Sequence, residues 1–273
     1  MEFGEKVIHI KLWYKDDLVR LIQGDCLEVM DKMIDKGIKF DAVITDPPYG
    51  TTACKWDTII PFDKLWEQYE RIIKPNGAIV LTASQPFTSA LVMSNPDMFK
   101  YIWYWIKDKP SNFLMGKKQP LRYVEEVLVF SKRIPLYNPQ MQPREEKDKR
   151  KNKLTSSLLK NENIGINEKT DKYQDRLKSG LNDFIYPRNY QKFNNRTDGL
   201  HPTQKPVALF EYLIRTYTNE GDTVLDNCAG SGTTAIACLN TNRNAILIEK
   251  DESYYKAALD RFNRHKQQLT LEL

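Results

Sequence analysis

Ala42-Val43-Ile44-Thr45-Asp46-Pro47-Pro48-Tyr49-Gly50 carries a short apolar run straight into two consecutive prolines. Neither proline has an N–H to give, and each holds φ at about −65°, so a strand through Ala42 has to end at Asp46. The residue before a proline is itself pushed to extended geometry, which holds Asp46 stiffly at the strand's carboxyl end. In an open α/β sheet, ligands bind outside that end. The expected product is a rigid corner presenting the Asp46 carboxylate, backbone carbonyls that no helix uses, and the ring of Tyr49. A flat heterocycle with an exocyclic amine suits such a corner, stacked on Tyr49 with its N–H groups donated to Asp46 and the Pro47 carbonyl. A plain Pro47-Pro48 turn with a solvated Asp46 and a packing Tyr49 is the alternative, and the rest of the chain has to decide.

Moving upstream, Leu18 to Ile22 reads as a strand ending at Gly24-Asp25, and Cys26 to Lys36 has helical spacing through Leu27, Met30 and Ile34. Asp25 there suits a helix N-cap, and a hydrogen bond from the same loop to a ligand is the competing reading. Downstream, Phe62 to Ile73 is an amphipathic helix expected to stop at Lys74-Pro75-Asn76-Gly77, followed by a buried strand at Ala78 to Leu81. Tyr101 to Ile106 is bulky on both alternating faces, which predicts a strand covered on both sides with its tryptophans in the core. Asn112 to Pro120 is a loop, and Val124 to Phe130 a further strand. Strands alternating with helices indicate an α/β sheet with parallel strands.

From about Ile134 to Arg196 aliphatic residues thin out and no period is sustained, which predicts an inserted polar region. Its aromatics, Tyr137, Tyr173, Phe184, Tyr186, Tyr190 and Phe193, are interleaved with Lys and Arg, a mixture that suits nucleic-acid contact or a small local core. Residues 132–205 hold 17 Lys and Arg against 9 Asp and Glu, so that within a net charge of +5 this segment is +8 and the remainder −3. Such a basic segment suits a polyanion, and a solvated charged loop nearly as well.

The 273 residues suffice for one large domain, or one carrying an insertion. No run of about 18 apolar residues could span a bilayer, and the first residues lack the basic and apolar segments of a signal peptide, so a soluble cytoplasmic protein with no membrane partner is expected. Cys26, Cys54, Cys228 and Cys238 show no C-x-x-C spacing, and His9, His201 and His265 are scattered. Neither a disulfide framework nor a metal site is expected. Cys238 reads as a small core residue on an apolar helical face.

His201-Pro202-Thr203-Gln204-Lys205-Pro206 is a stiff turn leading into a helix from Val207 to Tyr217. Thr223 to Thr234 then runs strand, glycine loop and helix, and the next strand, Ala245 to Ile248, ends at Glu249. A glycine loop lets a ligand approach the backbone, and an acidic residue at the next strand's end can accept two ribose hydroxyls, so this is read as a nucleoside-binding unit. Gly230-Ser231-Gly232-Thr233-Thr234-Ala235 formally fits the dinucleotide pattern. An NAD-type reading needs a hydride-transfer site, for which no histidine here has a clear partner, and it leaves the Pro-Pro corner without a role. S-adenosylmethionine is the other nucleoside ligand, with an adenosine for Glu249 and a sulfonium for a nearby carboxylate such as Asp226.

The corner at Asp46 to Tyr49, the turn at His201 to Pro206 and the glycine loop near the C-terminus occur in the permuted order of the beta group of DNA amino-methyltransferases, which this chain resembles over roughly residues 18–133 and 200–265. Gly24-Asp25, Trp56-Asp57, Lys74 to Gly77, Glu126 to Phe130 with Lys132, and Gly221-Asp222 are smaller matches. The resemblance implies a Rossmann-like, circularly permuted methyltransferase fold, with a mixed, mostly parallel sheet and helices on both faces. It implies a discontinuous catalytic domain, 1–133 with 200–273, and an inserted basic target-recognition region at 134–199. The implied reaction is methyl transfer from S-adenosylmethionine, without a metal, to the N6 amine of adenine flipped from double-stranded DNA. Asp46, Pro47, Pro48 and Tyr49 form the implied catalytic corner. The implied cofactor site comprises Asp226, Cys228, Ala229, Gly230, Ser231, Gly232 and Thr233, with Lys205 on the cofactor carboxylate, Glu249 on the ribose and Asp25 on the adenine amine.

Adenine is preferred because the corner begins with Asp, whereas enzymes acting on cytosine N4 more often have Ser there; N4-cytosine methylation is the alternative. A DNA-binding protein that has lost turnover on the same fold is a further one. One departure is Cys228, where the family usually has Phe, and weaker cofactor binding is the expected effect. A homodimer, and a companion restriction endonuclease in the same system that does not touch the protein, are compatible with the family.

Overall fold

The computed structural model describes residues 12–15, 18–52, 54, 57–144, 184–194 and 204–271. Two compact units are distinguished, 1–138 with 189–273, and 139–188. In the second, β7 (Gln142–Pro143) pairs antiparallel with β8 (Phe184–Ile185). The remaining elements belong to the first unit.

Its strands are β1 (Leu12–Lys15), β2 (Val19–Gln23), β3 (Phe40–Thr45), β4 (Ile73–Ala83), β5 (Phe99–Ile106), β6 (Val124–Phe130), β9 (Tyr190–Lys192), β10 (Thr223–Asp226) and β11 (Asn244–Glu249). They form one sheet in the order β1-β2-β11-β10-β3-β4-β6-β5-β9. The run from β2 to β4 is parallel throughout, whereas β1 is antiparallel to β2 and β6 is antiparallel to both neighbours. Tyr190 to Lys192, which the sequence reading places in the inserted region, pair with β5.

The helices are α1 (Cys26–Asp35), α2 (Phe62–Ile72), α3 (Phe87–Ser94), α4 (Val207–Tyr217), α5 (Thr233–Asn240) and α6 (Glu252–Leu271). Alternation along the central strands divides the core between the two sheet faces. Ala42, Ile44, Val224 and Leu247 pack with Leu213 and Ile214 of α4, Ala237 of α5 and Phe262 of α6. Val43, Leu225 and Ile248 pack with Met30 of α1, Tyr69 of α2 and Leu91 of α3. Helices on both faces bury most of the central strands' side chains, as their apolar runs require. Among the described residues, no helix is long and apolar enough to cross a membrane.

Two local expectations are corrected. The strand expected from Ala78 already begins at Ile73; the chain passes from α2 directly into β4, with Ile73 extended and opposite Phe40. The space between strands explains the glycine, since a Cβ on Gly77 would lie 2.6 Å from the Asp41 carbonyl oxygen. Gly77→Ala should therefore destabilise the fold by about 1–3 kcal/mol, read as a lower urea midpoint at an unchanged slope. The other correction is β5, which is not covered on both sides. Trp103 and Trp105 are buried, Trp103 against Tyr212 of α4, but Tyr101 and Tyr104 are each 37% exposed, because the strand beyond β5 is a three-residue edge strand. The helix α3 lies in a stretch to which the sequence reading gave no element.

Candidate active site

The carboxyl ends of β2, β3, β10 and β11 open into a cavity of about 900 Å³. Backbone bonds from the end of β11 hold the flanking loops in place, with Gly24 N–H donating to the Glu249 carbonyl and Ala229 N–H to the Ile248 carbonyl, each at 2.9 Å. Of the residues singled out in the sequence, Asp25, Asp46, Pro47, Pro48, Tyr49, Lys205, Asp226, Cys228, Ala229, Gly230, Ser231, Thr233 and Glu249 line this one cavity. Gly232 does not line it.

At the Pro-Pro corner Asp46 is held from both sides. Its Oδ1 accepts from the Tyr49 hydroxyl at 2.7 Å and from the Thr82 hydroxyl, while its Oδ2 accepts from Lys205 Nζ at 2.8 Å. The turn with a freely solvated aspartate is thereby excluded. Tyr49 stacks on Phe87 with ring centroids 5.1 Å apart, so one face of the ring is taken, and Lys205 Nζ lies 5.4 Å from its centroid. Burial, then the charges of Asp46 and Glu125, push the Tyr49 hydroxyl well above its usual range, so it stays protonated and a donor. Asp57 closes the loop after the corner by accepting from the N–H groups of Gly50, Thr51 and Thr52 at 2.8, 2.9 and 2.6 Å. Burial raises its pKa, but these bonds and the Thr52 hydroxyl outweigh that and lower it. Trp56 and the His201 to Thr203 part of the second motif lie outside the described residues.

Lys205 is placed on Asp46 and, at 3.6 Å, on Glu125, whose other oxygen pairs with Lys107. The result is an alternating chain of charges, Lys107, Glu125, Lys205, Asp46. Burial alone would lower the Lys205 pKa; Asp46 and then Glu125 more than reverse this, so it is raised and the side chain stays charged. Its Nζ is thus engaged by Asp46 and Glu125 at the carboxyl end of β3.

The glycine unit is organised by Asp226, 3% exposed. It accepts from the Thr45 hydroxyl at 2.6 Å, from Cys228 N–H at 3.1 Å and from the Thr234 hydroxyl. All three donors are neutral. Burial pushes its carboxyl up to about 6 against hydrogen bonds from Thr234, Thr45 and Cys228. Glu249 accepts from Gly230 N–H at 2.7 Å and Asp251 N–H at 2.8 Å, and burial raises its pKa despite them.

The two glycines do different things. Gly230, at φ +51°, has nothing within 4 Å of where a Cβ would stand, so the loop is open on that side. Gly232, at φ +76°, would bring a Cβ to 3.0 Å from that of Ala258 and lets α5 pack against α6. Arg261 of α6 ties the loop down, 3.2 Å from the Ser231 carbonyl and 3.1 Å from the Thr233 hydroxyl.

Asp25 is an N-cap, with Oδ1 accepting from Leu27 N–H at 3.0 Å and Oδ2 lying 3.1 Å from Lys250 Nζ. Beside it lie the free thiols of Cys26 and Cys228, whose interaction lowers the Cys26 pKa and, together with burial, raises that of Cys228.

Thr45, Thr82, Lys107, Glu125 and Arg261 hold the site together and escaped the sequence reading. Thr45 adjoins the corner, and Glu125-Glu126 at the head of an apolar strand was a legible anomaly. Nothing local marks Thr82 or Arg261.

Comparison with known proteins places this geometry. A sequence profile described as DNA methylase, of the N6/N4 methyltransferase type, matches residues 40–260. Type II methyltransferase M.HpaI of Haemophilus parainfluenzae is 26% identical over 254 residues, covering 89% of this chain and 74% of that protein. Type II methyltransferase M1.MboII of Moraxella bovis is 27% identical over 258 residues, covering 89% and 95%. Among solved structures, that of the M1.HpyAVI-SAM complex superposes with a TM-score of 0.60 at 26% identity, covering 89% of this chain and all of that one. PvuII DNA methyltransferase, cytosine-N4-specific, has the same fold at a TM-score of 0.60 and 18% identity, covering 90% and 86%. Since the profile spans most of its length, from β3 to α6, the chain belongs to the N6/N4 DNA methylase family.

Proposed function

We propose that this protein transfers the methyl group of S-adenosylmethionine to the N6 amine of an adenine flipped out of duplex DNA. The observation that carries this is that one cavity holds both the Asp46 corner and the Asp226 and Glu249 glycine unit. The structure of a relative in complex with S-adenosylmethionine supports the choice of cofactor.

The residues present fit that cofactor. Asp226 is a buried anion whose hydrogen-bond donors are all neutral, which suits a cationic sulfonium. The open side of Gly230 admits a ligand against the backbone, and Glu249 retains lone pairs for ribose hydroxyls. Asp25 keeps acceptor capacity for the adenine amine beside its capping bond. When bound, the cofactor supplies an electrophilic methyl group on positively charged sulfur.

The amine lone pair of adenine is delocalised into its ring and attacks poorly. Asp46 and the Pro47 carbonyl accept its two N–H groups and localise that pair on nitrogen, an electrostatic contribution built in before the reaction. As the nitrogen gains its methyl group it sheds one proton, and Asp46, already holding an N–H, is placed to take it. Extruding the base costs a few kcal/mol. Stacking on Tyr49, beside the Lys205 Nζ that lies over its ring, returns about 1–3 kcal/mol. Residues 134–199, with most of the basic excess, supply target recognition in this reading. Adenine is favoured by the aspartate at the head of the corner.

The test is incubation of unmethylated duplex DNA with labelled cofactor, followed by nucleoside analysis. Label in N6-methyldeoxyadenosine supports the proposal. Label in N4-methyldeoxycytidine keeps the mechanism and overturns the base, and DNA left unlabelled while cofactor binds overturns catalysis. Cys228→Phe should tighten cofactor binding by about tenfold in calorimetry, by adding an aromatic wall to the cavity. An unchanged or weaker affinity sinks that idea.

A further inference from the structure

The loop joining β5 to β6 exposes three consecutive apolar side chains beside the cavity mouth, and we propose that it is the wedge that enters the base stack and fills the gap left by the flipped nucleotide. This rests on the methylation reading above. Phe113 and Leu114 are 70% and 82% exposed, and Met115 is 38% exposed. Single exposed apolar residues need no explanation, but a contiguous group rimmed by polar ones marks a contact surface.

The tip is held out on a hydrogen-bonded stem. Asn112 clamps it from within, donating through Nδ2 to the Pro120 carbonyl at 3.1 Å and accepting at Oδ1 from Arg122 N–H at 2.6 Å. Ser111 N–H donates to the Arg122 carbonyl at 3.1 Å, and Met115 and Lys118 N–H groups close successive turns at 2.9 and 2.8 Å. A loop fixed in this way loses little conformational entropy on insertion.

Charge says what the tip meets. Lys109, Lys117, Lys118 and Arg122 flank it, and Asp108 is the one acidic residue between 108 and 122. Among the described residues, Lys117 and Lys118 have no carboxylate partner. Basic side chains around an apolar point match phosphates on either side of stacked bases, and apolar wedges between base steps are a known way of holding unstacked DNA. The stem also belongs to the base pocket. Ser111 and Arg122 line the cavity with Ser84, whose hydroxyl accepts from Arg122 at 3.2 Å. Wedge and pocket thus form one continuous surface, as a nucleotide rotating from the stack into the site requires.

The experiment compares the parent with a Phe113→Ala, Leu114→Ala double variant on two duplexes carrying the sequence that the parent labels in plasmid DNA. One is fully paired and the other has an abasic site opposite the target. On the paired duplex the variant should lose roughly tenfold to a hundredfold in kcat/KM, since unstacking costs a few kcal/mol and each 1.4 kcal/mol is tenfold. On the abasic duplex, where no pairing opposes extrusion and the opposite strand already has a gap, it should recover to within about threefold of the parent. Cofactor affinity should not change. Parent-like rates on both duplexes, or an equal loss on both, overturn the wedge alone. An equal loss accompanied by dissociation of a dimer in sedimentation identifies the tip as a contact between two copies and also overturns it. A parent that labels no DNA overturns the methylation reading, and the wedge with it.

Discussion

Asp46→Ala should lower the single-turnover rate of DNA methylation by about 10²–10³, the usual consequence of deleting one preorganised electrostatic contact in a catalytic site. The loss should fall on the chemical step. Asp46 is bonded to Tyr49, Thr82 and Lys205, and its removal frees those donors without creating an isolated buried charge, because Lys205 remains 3.6 Å from Glu125. The fold should therefore weaken by about 1–3 kcal/mol and survive. Cofactor affinity by calorimetry should stay near that of the parent, since the glycine unit is formed by other strands. Asp46→Asn separates charge from shape, keeping one oxygen for Tyr49 and Thr82 while turning an amide nitrogen toward Lys205, and should lose nearly as much. An alanine variant that keeps more than about a tenth of the parent rate would remove Asp46 from the mechanism.

The second large effect concerns Asp226. Its folded-state pKa, about 6, lies above the ordinary 3.8, so its contribution to stability is fully present below about pH 4 and is lost as pH rises through about 6. In the ligand-free protein at neutral pH the ionised carboxylate therefore destabilises the fold, by on the order of 3 kcal/mol. A bound sulfonium reverses the sign of that interaction, favours the ionised form and lowers its pKa. Affinity for S-adenosylmethionine should then rise about tenfold from pH 5 to pH 7, with proton release on binding at the acid end. S-adenosylhomocysteine, whose sulfur is neutral, should show a flatter profile. Asp226→Asn should raise the melting temperature of the ligand-free protein at pH 7.5 and weaken S-adenosylmethionine binding by about tenfold to a hundredfold. Any pH dependence left in that variant belongs to Glu249, which faces the same cavity. Calorimetry in two buffers of different ionisation heat counts the protons, and an asparagine variant that binds like the parent would show that the carboxylate does not face the cation.

Where local chemistry dictates structure, the sequence was readable. Two prolines after an apolar run can only end a strand, so the corner and its carboxylate could be placed without coordinates. The same holds for the strand, glycine loop and helix from Thr223 onward and for Glu249 at the next strand's end. What could not be read are contacts made across the chain. Thr45 and Asp226 are bonded although they are 181 positions apart, and Lys205 reaches Asp46 across 159. A lysine in a Pro-bounded turn gives no local sign that its partner will be Asp46. Tyr101 to Ile106 misled for a related reason, since bulk on both faces measures what a strand could bury, while its place near the sheet edge decides what it does bury. The start of β4 was missed in the other direction, since Pro75 and Gly77 are poor strand formers and Gly77 here serves a close strand contact.

The carbonyls at the end of β11 accept from both Gly24 and Ala229, so a single strand end joins loops contributed by opposite ends of the sequence. The cavity therefore has no early version. Nothing resembling it exists until β2, β3, β10 and β11 have docked in order, and contacts of such long sequence separation are the slow ones to form. Ligand capture in this protein therefore requires β2 and β3 from one part of the sequence and β10 and β11 from the other to be in place together. By mass action the ligand then protects the whole domain against unfolding, including strands that never touch it.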